Sequence, residues 1–373
     1  MSITKALINL SNLEFNLKNI KSKTGKKILL AVKANAYGHG AVRVSQFVQK
    51  NNLVDYVGVA TLEEALELKK NNITLPVLKF SQPLEEELNY IVDNNIETAL
   101  YSPEILQKMN SLAIKKNKSV QIHVKIDTGM GRVGLQPDEL GDFLTLLSTM
   151  TMINLKGVMT HLASSDSDNH EFTLKQLELF RLSLELIRQS GFNPELIHAA
   201  NSGGILQFEE SYFDMVRPGI MAYGYYPSPE VKKSIEIKPV MTLVSKISYI
   251  KKVHTNTPIS YGGTYRTFEP SYIATIPAGY GDGYSRSLTN RGKVMISGLE
   301  FKIAGRVCMD QFMIDIGKNE AGVKVGDEVV LFGSKGQNSV SLDYLCSVIG
   351  TIPYEPLCNI APRVERYYSE SEN

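Results

Sequence analysis

The sequence predicts an α/β chain in two parts: an N-terminal (β/α)8 barrel of the TIM type and a C-terminal mostly-β domain. Three observations lead there. Short apolar runs of strand length alternate with helical patterns from about residue 28 to residue 220, and around eight such units fit. Beyond about residue 233 that texture changes to short strands separated by glycine and asparagine turns. Finally, Val120 to Asp127 sets Ile122, Val124 and Ile126 on one side and Gln121, His123, Lys125 and Asp127 on the other. Both faces of a barrel strand are covered, so such a polar row must point into the barrel or its mouth. The expected boundaries are 12–232 for the barrel and 233–373, with an N-terminal strand at 1–11, for the β-rich domain.

The elements follow in order. Ala6 to Leu10 is a strand candidate, and Ser11 starts a polar helix towards Lys21. Ile28 to Val32 is an apolar run ending at Lys33, the signature of a buried parallel strand. Tyr56 to Ala60 is a further strand, and Thr61-x-x-Glu64 is a capping box for the next helix. Pro76 to Phe80 reads as strand and Leu84 to Val92 as helix. Thr98 to Leu100 is a strand, after which Ser102 caps a helix with Pro103 at its first position. The loop Thr128–Arg132 follows the polar strand, where barrel enzymes place their chemistry. Leu155 to Thr160 is a strand ending at His161. A helix over 173–189 buries Leu177, Phe180, Leu184 and Ile187, closed by Gly191. Two strands, Leu196 to Ala199 and Met215-Val216, lead to Asn201-Ser202-Gly203-Gly204 and Arg217-Pro218-Gly219-Ile220. Glycine there lets backbone N–H groups approach an anion. In the second domain, Val240 to Val253 reads as one long strand. Shorter strands are expected at 272–276, 294–296, 301–307, 312–316 and 323–332, with a turn of β-barrel type at Val325-Gly326-Asp327-Glu328-Val329 and a helix at 342–349.

Composition narrows the function classes. Net charge is +1 with 21% charged residues, so no nucleic-acid footprint or basic membrane surface is expected. The N-terminal stretch lacks an apolar core of signal-peptide type, and no apolar run reaches membrane-spanning length. The three cysteines, Cys308, Cys346 and Cys358, are odd in number and lack C-x-x-C spacing. They read as reduced thiols of a cytoplasmic protein, neither a disulfide set nor a metal site.

A lysine at the end of a barrel strand, opening onto Ala34-Asn35-Ala36-Tyr37-Gly38-His39-Gly40, can form a Schiff base with a carbonyl cofactor if it is desolvated and held. By itself such a lysine is far more often a surface lysine at a strand end. The full strings decide between the two. AVKANAYGHG, HVKIDTGMGRVG, THLASSDS, HAANSGG, DMVRPGIMAYG, SYGGTYR, AGYGDGYSR, GRVCMDQ and YEPLCNIAPRV occur in that order. Together they resemble the alanine racemase family, fold-type III enzymes that use pyridoxal 5′-phosphate (PLP).

The resemblance implies a set of roles. Lys33 holds the cofactor and then serves as one base, and Tyr261 serves as the other on the opposite face of the substrate carbon. Tyr37, Ser202, Gly219, Ile220 and Tyr354 surround the cofactor phosphate. Arg217 faces the pyridine nitrogen, and His161 belongs with Arg217 to the network that perturbs Tyr261. Arg132 lies near the phenolic oxygen and the substrate carboxylate. Lys125 occupies a position often carbamylated, and the carbamate would hold Arg132. Met309 binds the substrate carboxylate through its N–H, flanked by Cys308 and Asp310, and Tyr280 and Tyr354 narrow the entrance. Tyr261 and Met309 imply a homodimer in which the β domain of one chain completes the barrel site of the other. The implied reaction interconverts L- and D-alanine, supplying D-alanine for peptidoglycan. Two departures stand out: Gly281 where many relatives carry alanine, and a tail at Val364-Glu365-Arg366 without the proline often found there. The alternatives are a broader amino-acid racemase or a decarboxylase of the same fold, or a PLP-binding protein without turnover. GRVCMDQ with Tyr261 argues against the decarboxylase, and the β domain argues against the carrier.

Overall fold

The computed structural model describes residues 3–370. They form two units: Glu14–Ile237, and the N-terminal segment through Leu13 together with the chain from Lys238 onward.

The first strand, β1 (Lys5–Asn9), belongs to the second unit. The first unit is the barrel. Its strands are β2 (Lys27–Ala31), β3 (Tyr56–Val59), β4 (Val77–Lys79), β5 (Glu97–Leu100), β6 (Val120–Lys125), β7 (Ile153–Met159), β8 (Leu196–His198) and β9 (Met215–Val216). They pair in parallel in the order β8-β7-β6-β5-β4-β3-β2-β9. The ends meet through backbone bonds, Asp214 N–H to the Ile197 carbonyl at 3.0 Å and Arg217 N–H to the Ala200 carbonyl at 2.9 Å. The strands are apolar on both faces because helices cover the outside, as a parallel sheet requires. One apolar cluster gathers Leu29, Tyr56, Leu78, Ala99, Met159, Leu196 and Met215. Seven strands therefore contribute one residue each, and β6 is the exception: it turns the fully buried His123 towards His198 of β8. The polar row expected in Val120 to Asp127 does face inward at that residue.

The expected helix signals are present. Thr61 and Glu64 form the reciprocal capping box of the helix Leu62–Lys70. Ser102 Oγ accepts from Ile105 N–H at 3.3 Å, with Pro103 opening the helix. The helix Glu171–Gln189 buries Leu177, Phe180, Leu184 and Ile187. The segment expected as one helix from Leu84 instead begins with a 3-10 turn, Glu85–Glu87, and continues as Leu88–Asp93.

The second unit is built on a seven-stranded sheet. Its path runs Leu299–Lys302, Lys293–Ile296, Glu328–Lys335, Met241–Lys246, β1 and Glu365–Ser369, with Asn338–Val340 paired on Glu328–Lys335. A three-stranded sheet orders Tyr249–Val253, Ser271–Ile276 and Phe312–Asp315. The long strand expected over 240–253 is thus two. Ile247 N–H bonds the Asp327 carbonyl and Ser248 N–H the Thr275 carbonyl, so the chain leaves one sheet and enters the other between these residues. A change of sheet preserves alternation of side chains, which is why the pattern read as continuous. The strand expected over 301–307 stops at Lys302, before Gly305 at φ 83°. That expected from 323 starts only at Glu328, because Val323–Asp327 is a turn in which Asp327 accepts the Lys324 N–H at 2.8 Å. The helix Leu342–Ile349 falls as expected, and a second, Tyr354–Cys358, was not anticipated.

Candidate active site

Lys33 directly follows the last buried residue after β2, where the C-terminal ends of the barrel strands open. The next four residues form a left-handed turn: Ala34, Asn35, Ala36 and Tyr37 have φ of 51, 54, 54 and 52°. L-residues resist that conformation by roughly 1–2 kcal/mol each, so surrounding contacts must impose it. Asn35 Oδ1 accepts the Ala41 N–H at 2.8 Å, and the Asn35 carbonyl accepts Gly40 N–H at 2.9 Å. Glu64, the capping-box carboxylate, also accepts the Ala34 N–H at 2.6 Å and the Ala60 N–H at 2.7 Å. Beneath, Tyr37 and His39 pack on Tyr223, whose hydroxyl donates to the Ala31 carbonyl at 2.8 Å. Glu64 therefore ties one helix cap to the lysine turn. Glu64→Ala is expected to destabilise the chain by about 2 kcal/mol, and Thr61→Ala, which removes the cap alone, by about 1 kcal/mol. Denaturant unfolding of both variants measures the difference.

Arg217 follows β9 and is buried. Its guanidinium donates to the carbonyls of His198 at 2.7 Å, Thr160 at 2.7 Å and Ala199 at 3.0 Å, and to His198 Nδ1 at 2.9 Å. Burial lowers its pKa to about 9, still protonated at neutral pH. His161 Nδ1 lies 3.4 Å from the same guanidinium. Burial, then the charges of Arg217, Lys125, Arg132 and Lys33, hold its imidazole well below the ordinary range. Arg217, Lys125, Arg132 and Lys33 thus gather positive charge around a neutral His161 at the barrel mouth. Asp127 restrains this charge: its carboxylate accepts the N–H groups of Gly129 and Gly131 at 3.0 and 3.1 Å, shaping the loop that carries the exposed Arg132.

Lys125, the last residue of β6, is only 4% exposed. Burial first, then Arg132 and Arg217, bring its pKa down to about 8, with Asp127 opposing. Below pH 8 the folded and unfolded chains both protonate it, and the fold bears the whole penalty of the buried charge. Between pH 8 and 10.5 only the unfolded chain keeps the proton, so unfolding takes up a proton and stability rises with pH. From pH 7.5 to 9.5 this rise is about 2 kcal/mol for the cofactor-free protein. Urea titrations at the two pH values should show it in the parent chain and not in Lys125→Met.

Ser202 opens the short helix Ser202–Gln207, held by Asn201, which accepts the Gly204 N–H and the Ser165 hydroxyl. Ser202 Oγ accepts N–H groups from Gly219 at 3.1 Å and Met221 at 3.4 Å, leaving its own hydrogen to donate. A Cβ on Gly219 would stand 2.6 Å from Tyr37 Oη. Tyr37, Ser202, Gly219 and Ile220 therefore converge on a cradle of hydroxyls and backbone amides with room cut by a missing side chain. That donor set fits a phosphate group.

The remaining residues singled out in the sequence lie in the second unit. Tyr261 is 72% exposed, and Met309 and Tyr280 are exposed too. Tyr280 and Gly281 donate their N–H groups to the carbonyls of Cys308 and Met309 at 3.1 and 2.9 Å, joining two of these loops. Ser260, at φ 64°, bonds the Arg306 carbonyl at 2.7 Å and lies 3.4 Å from Cys308 Sγ, joining the third. Tyr265 is committed elsewhere: its hydroxyl donates to Asp315 at 2.8 Å, and burial with that bond pushes its pKa up to about 12. Arg363 bridges Asp282 at 2.8 Å and Asp310 at 2.9 Å. Its guanidinium also lies where a Cβ on Gly281 would point, 2.6 Å from that position. Tyr354 is half-buried at the start of its helix. Sequence reasoning passed over Glu64, Arg363 and His198. The capping box and the strings HAANSGG and YEPLCNIAPRV contained them, but each had a plainer reading as cap, strand end or surface charge.

A lysine on a strained turn, among cations and near a cradle of hydroxyls and backbone amides at the C-terminal mouth of a parallel barrel, places the chain among the barrel enzymes. Residues 8–227 match the family model "Alanine racemase, N-terminal domain" and residues 240–368 match "Alanine racemase, C-terminal domain". The chain is 44% identical to the alanine racemase of Treponema denticola, covering 99% of this chain and 98% of that one. It is 42% identical to alanine racemase 2 of Caldanaerobacter subterraneus subsp. tengcongensis, covering 98% and 94%. Among solved structures it is similar to alanine racemase of Clostridium difficile 630, with TM-score 0.94, 40% identity and coverage of 99% and 96%. It is also similar to the Bacillus anthracis alanine racemase with bound L-Ala-P, with TM-score 0.92, 32% identity and coverage of 99% and 95%. The chain belongs to the alanine racemase family, an isomerase family that depends on PLP. No helix among the described residues is long and apolar enough to cross a membrane.

Proposed function

We propose that the chain interconverts L- and D-alanine by a two-base mechanism with PLP, and that two copies of the chain assemble each site. The observation that carries this reading is Lys33 on its left-handed turn beside Arg217, Lys125, Arg132 and His161. PLP, when bound, supplies the electron sink that makes the Cα–H of an amino acid acidic. Lys33 is the attachment point, and its amine then moves a proton at one face of Cα. Nearby cations favour the neutral amine that this requires. Tyr37, Ser202, Tyr354 and the amides of Gly219 and Ile220 hold the phosphate.

Arg217, pinned by three carbonyls, remains a cation and offers no proton acceptor to a pyridine nitrogen. It keeps that nitrogen unprotonated and restrains side reactions. Lys125 has a pKa of about 8, so about a tenth of it is the neutral amine at pH 7. That is the form that takes up carbon dioxide to give a carbamate able to hold Arg132. Tyr261 of a second protomer moves the proton on the opposite face, with His161 and Arg217 completing the network around it. The Met309 N–H takes the substrate carboxylate, with Cys308 and Asp310 on either side, and Tyr280 and Tyr354 limit the side chain to a methyl. The exposure of Tyr261, Met309 and Tyr280 in a single chain supports this assembly. The protein would act in the cytoplasm, providing D-alanine for peptidoglycan.

The test is PLP-loaded protein with L-alanine in D2O, following optical rotation and Cα deuteration by NMR, with L-serine and L-lysine in parallel. Loss of rotation with deuteration, fastest for alanine, is expected. Deuteration without loss of rotation would remove Tyr261 from its role. Absence of both would overturn the racemase reading.

A further inference from the structure

We propose that Glu97, at the opposite end of the barrel from Lys33, is a positioning residue for the Arg217 guanidinium, acting through His123 and His198. The inference rests on the reading of Arg217 just given.

Glu97 is the first residue of β5, His123 lies inside β6, His198 is the last residue of β8, and Arg217 follows β9. Three links of 2.9 Å join them through the lumen: Arg217 Nη1 to His198 Nδ1, His198 Nε2 to His123 Nδ1, and His123 Nε2 to Glu97 Oε2. The chemistry of the ends fixes the protons between. A guanidinium only donates, so His198 Nδ1 must be the bare nitrogen. His198, held far below ordinary imidazole by complete burial and by Arg217, is neutral and carries its hydrogen on Nε2. It therefore donates to His123 Nδ1, and His123 carries its own hydrogen on Nε2 and donates to Glu97. The carboxylate is the terminal acceptor that makes this single direction consistent.

The barrel is shaped around the chain of bonds. A Cβ on Gly157 of β7 would land on His123 Nδ1, the atom that accepts from His198, and the β6/β7 register shifts between Ile122 and His123. Glu97 is 12% exposed, and its other oxygen lies 3.4 Å from the Tyr56 hydroxyl. Lys69 is close enough to feel its charge.

Without an acceptor at 97, the hydrogen on His123 Nε2 is stranded. Moving it to Nδ1 sets donor against donor at His198. Relief there puts a hydrogen on His198 Nδ1, against Arg217. The guanidinium then shifts among its carbonyls and away from the position in which it would face the cofactor's pyridine nitrogen.

The test uses the PLP-loaded full chain with ¹⁵N-labelled histidine, of which there are six. Long-range ¹H–¹⁵N spectra report each ring's tautomer, and the visible band of the cofactor reports Arg217. The parent chain and Glu97→Gln, which keeps an acceptor oxygen, are expected to show both rings protonated on Nε2 with the same band. Glu97→Leu is expected to lose or mix the His198 tautomer, shift the band and lower kcat roughly tenfold with little change in KM. Gly157→Ala should alter the His123 and His198 signals from the other side. The proposal is overturned if His198 in the parent chain carries its hydrogen on Nδ1, a result independent of how Glu97→Leu folds. It is equally overturned if Glu97→Leu leaves tautomers and band unchanged, or if Glu97→Gln matches Glu97→Leu. The parent chain's tautomers are read separately from racemisation, so failure of one reading leaves the other standing.

Discussion

Lys33→Ala is expected to reduce racemisation of either alanine enantiomer by roughly 10⁴-fold or more, the upper range for loss of a positioned acid–base group that is also the covalent anchor. The fold should survive, because Lys33 is only half-buried and the turn after it is held by Glu64, Asn35 and Tyr223. Cofactor should still bind through the hydroxyl and amide cradle around Ser202 and Gly219, more weakly and with an altered visible band. Added methylamine should restore part of the activity by supplying the missing amine. Lys125 is no substitute, since it ends β6, on a different strand from Lys33, and is only 4% exposed. Steady-state assays with and without methylamine decide the matter, and activity within tenfold of the parent would remove Lys33 from its role.

Tyr261→Phe should cost both directions roughly 10³-fold, with full cofactor content. A proton taken from one face must be replaced on the other, so losing either base stops net inversion both ways. The isotope pattern is more telling than the rate. By the family's assignment Lys33 serves D-alanine, so the variant should still exchange the Cα hydrogen of D-alanine in D2O while L-alanine stays unlabelled. Tyr261 is 72% exposed in the single chain, so removing its hydroxyl should shift stability by less than about 0.5 kcal/mol. Equal exchange of both enantiomers would point to another second base. Tyr265 is a poor candidate, because its hydroxyl is bound to Asp315.

The barrel was legible because its strands are short, apolar and followed by capped helices; Thr61, Glu64, Ser102 and Pro103 mark starts that chain-local chemistry dictates. The polar row in β6 was legible as inward-facing for the same reason, although its partners were not. His123 meets His198 and Glu97 only through closure of the barrel, across 75 and 26 residues of chain. The second unit was read less well. Alternation cannot distinguish one strand from two that change sheet at Ile247-Ser248. The site residues were visible as strings, but Gly219 became intelligible only when Tyr37 was found where a Cβ would go.

The turn after Lys33 has the backbone handedness of the mirror-image peptide over four consecutive residues. A D-residue is at home there for the same steric reason that an L-residue is not. Semisynthetic replacement of Ala34 and Ala36 by D-alanine would thus relax the very segment that presents the lysine, without altering one side-chain atom's composition. It also means that the local bonds of Asn35 work against the backbone preference of its neighbours: the segment waits for Glu64 and Tyr223 to be in place, and in a refolding chain the barrel should close before this end takes shape.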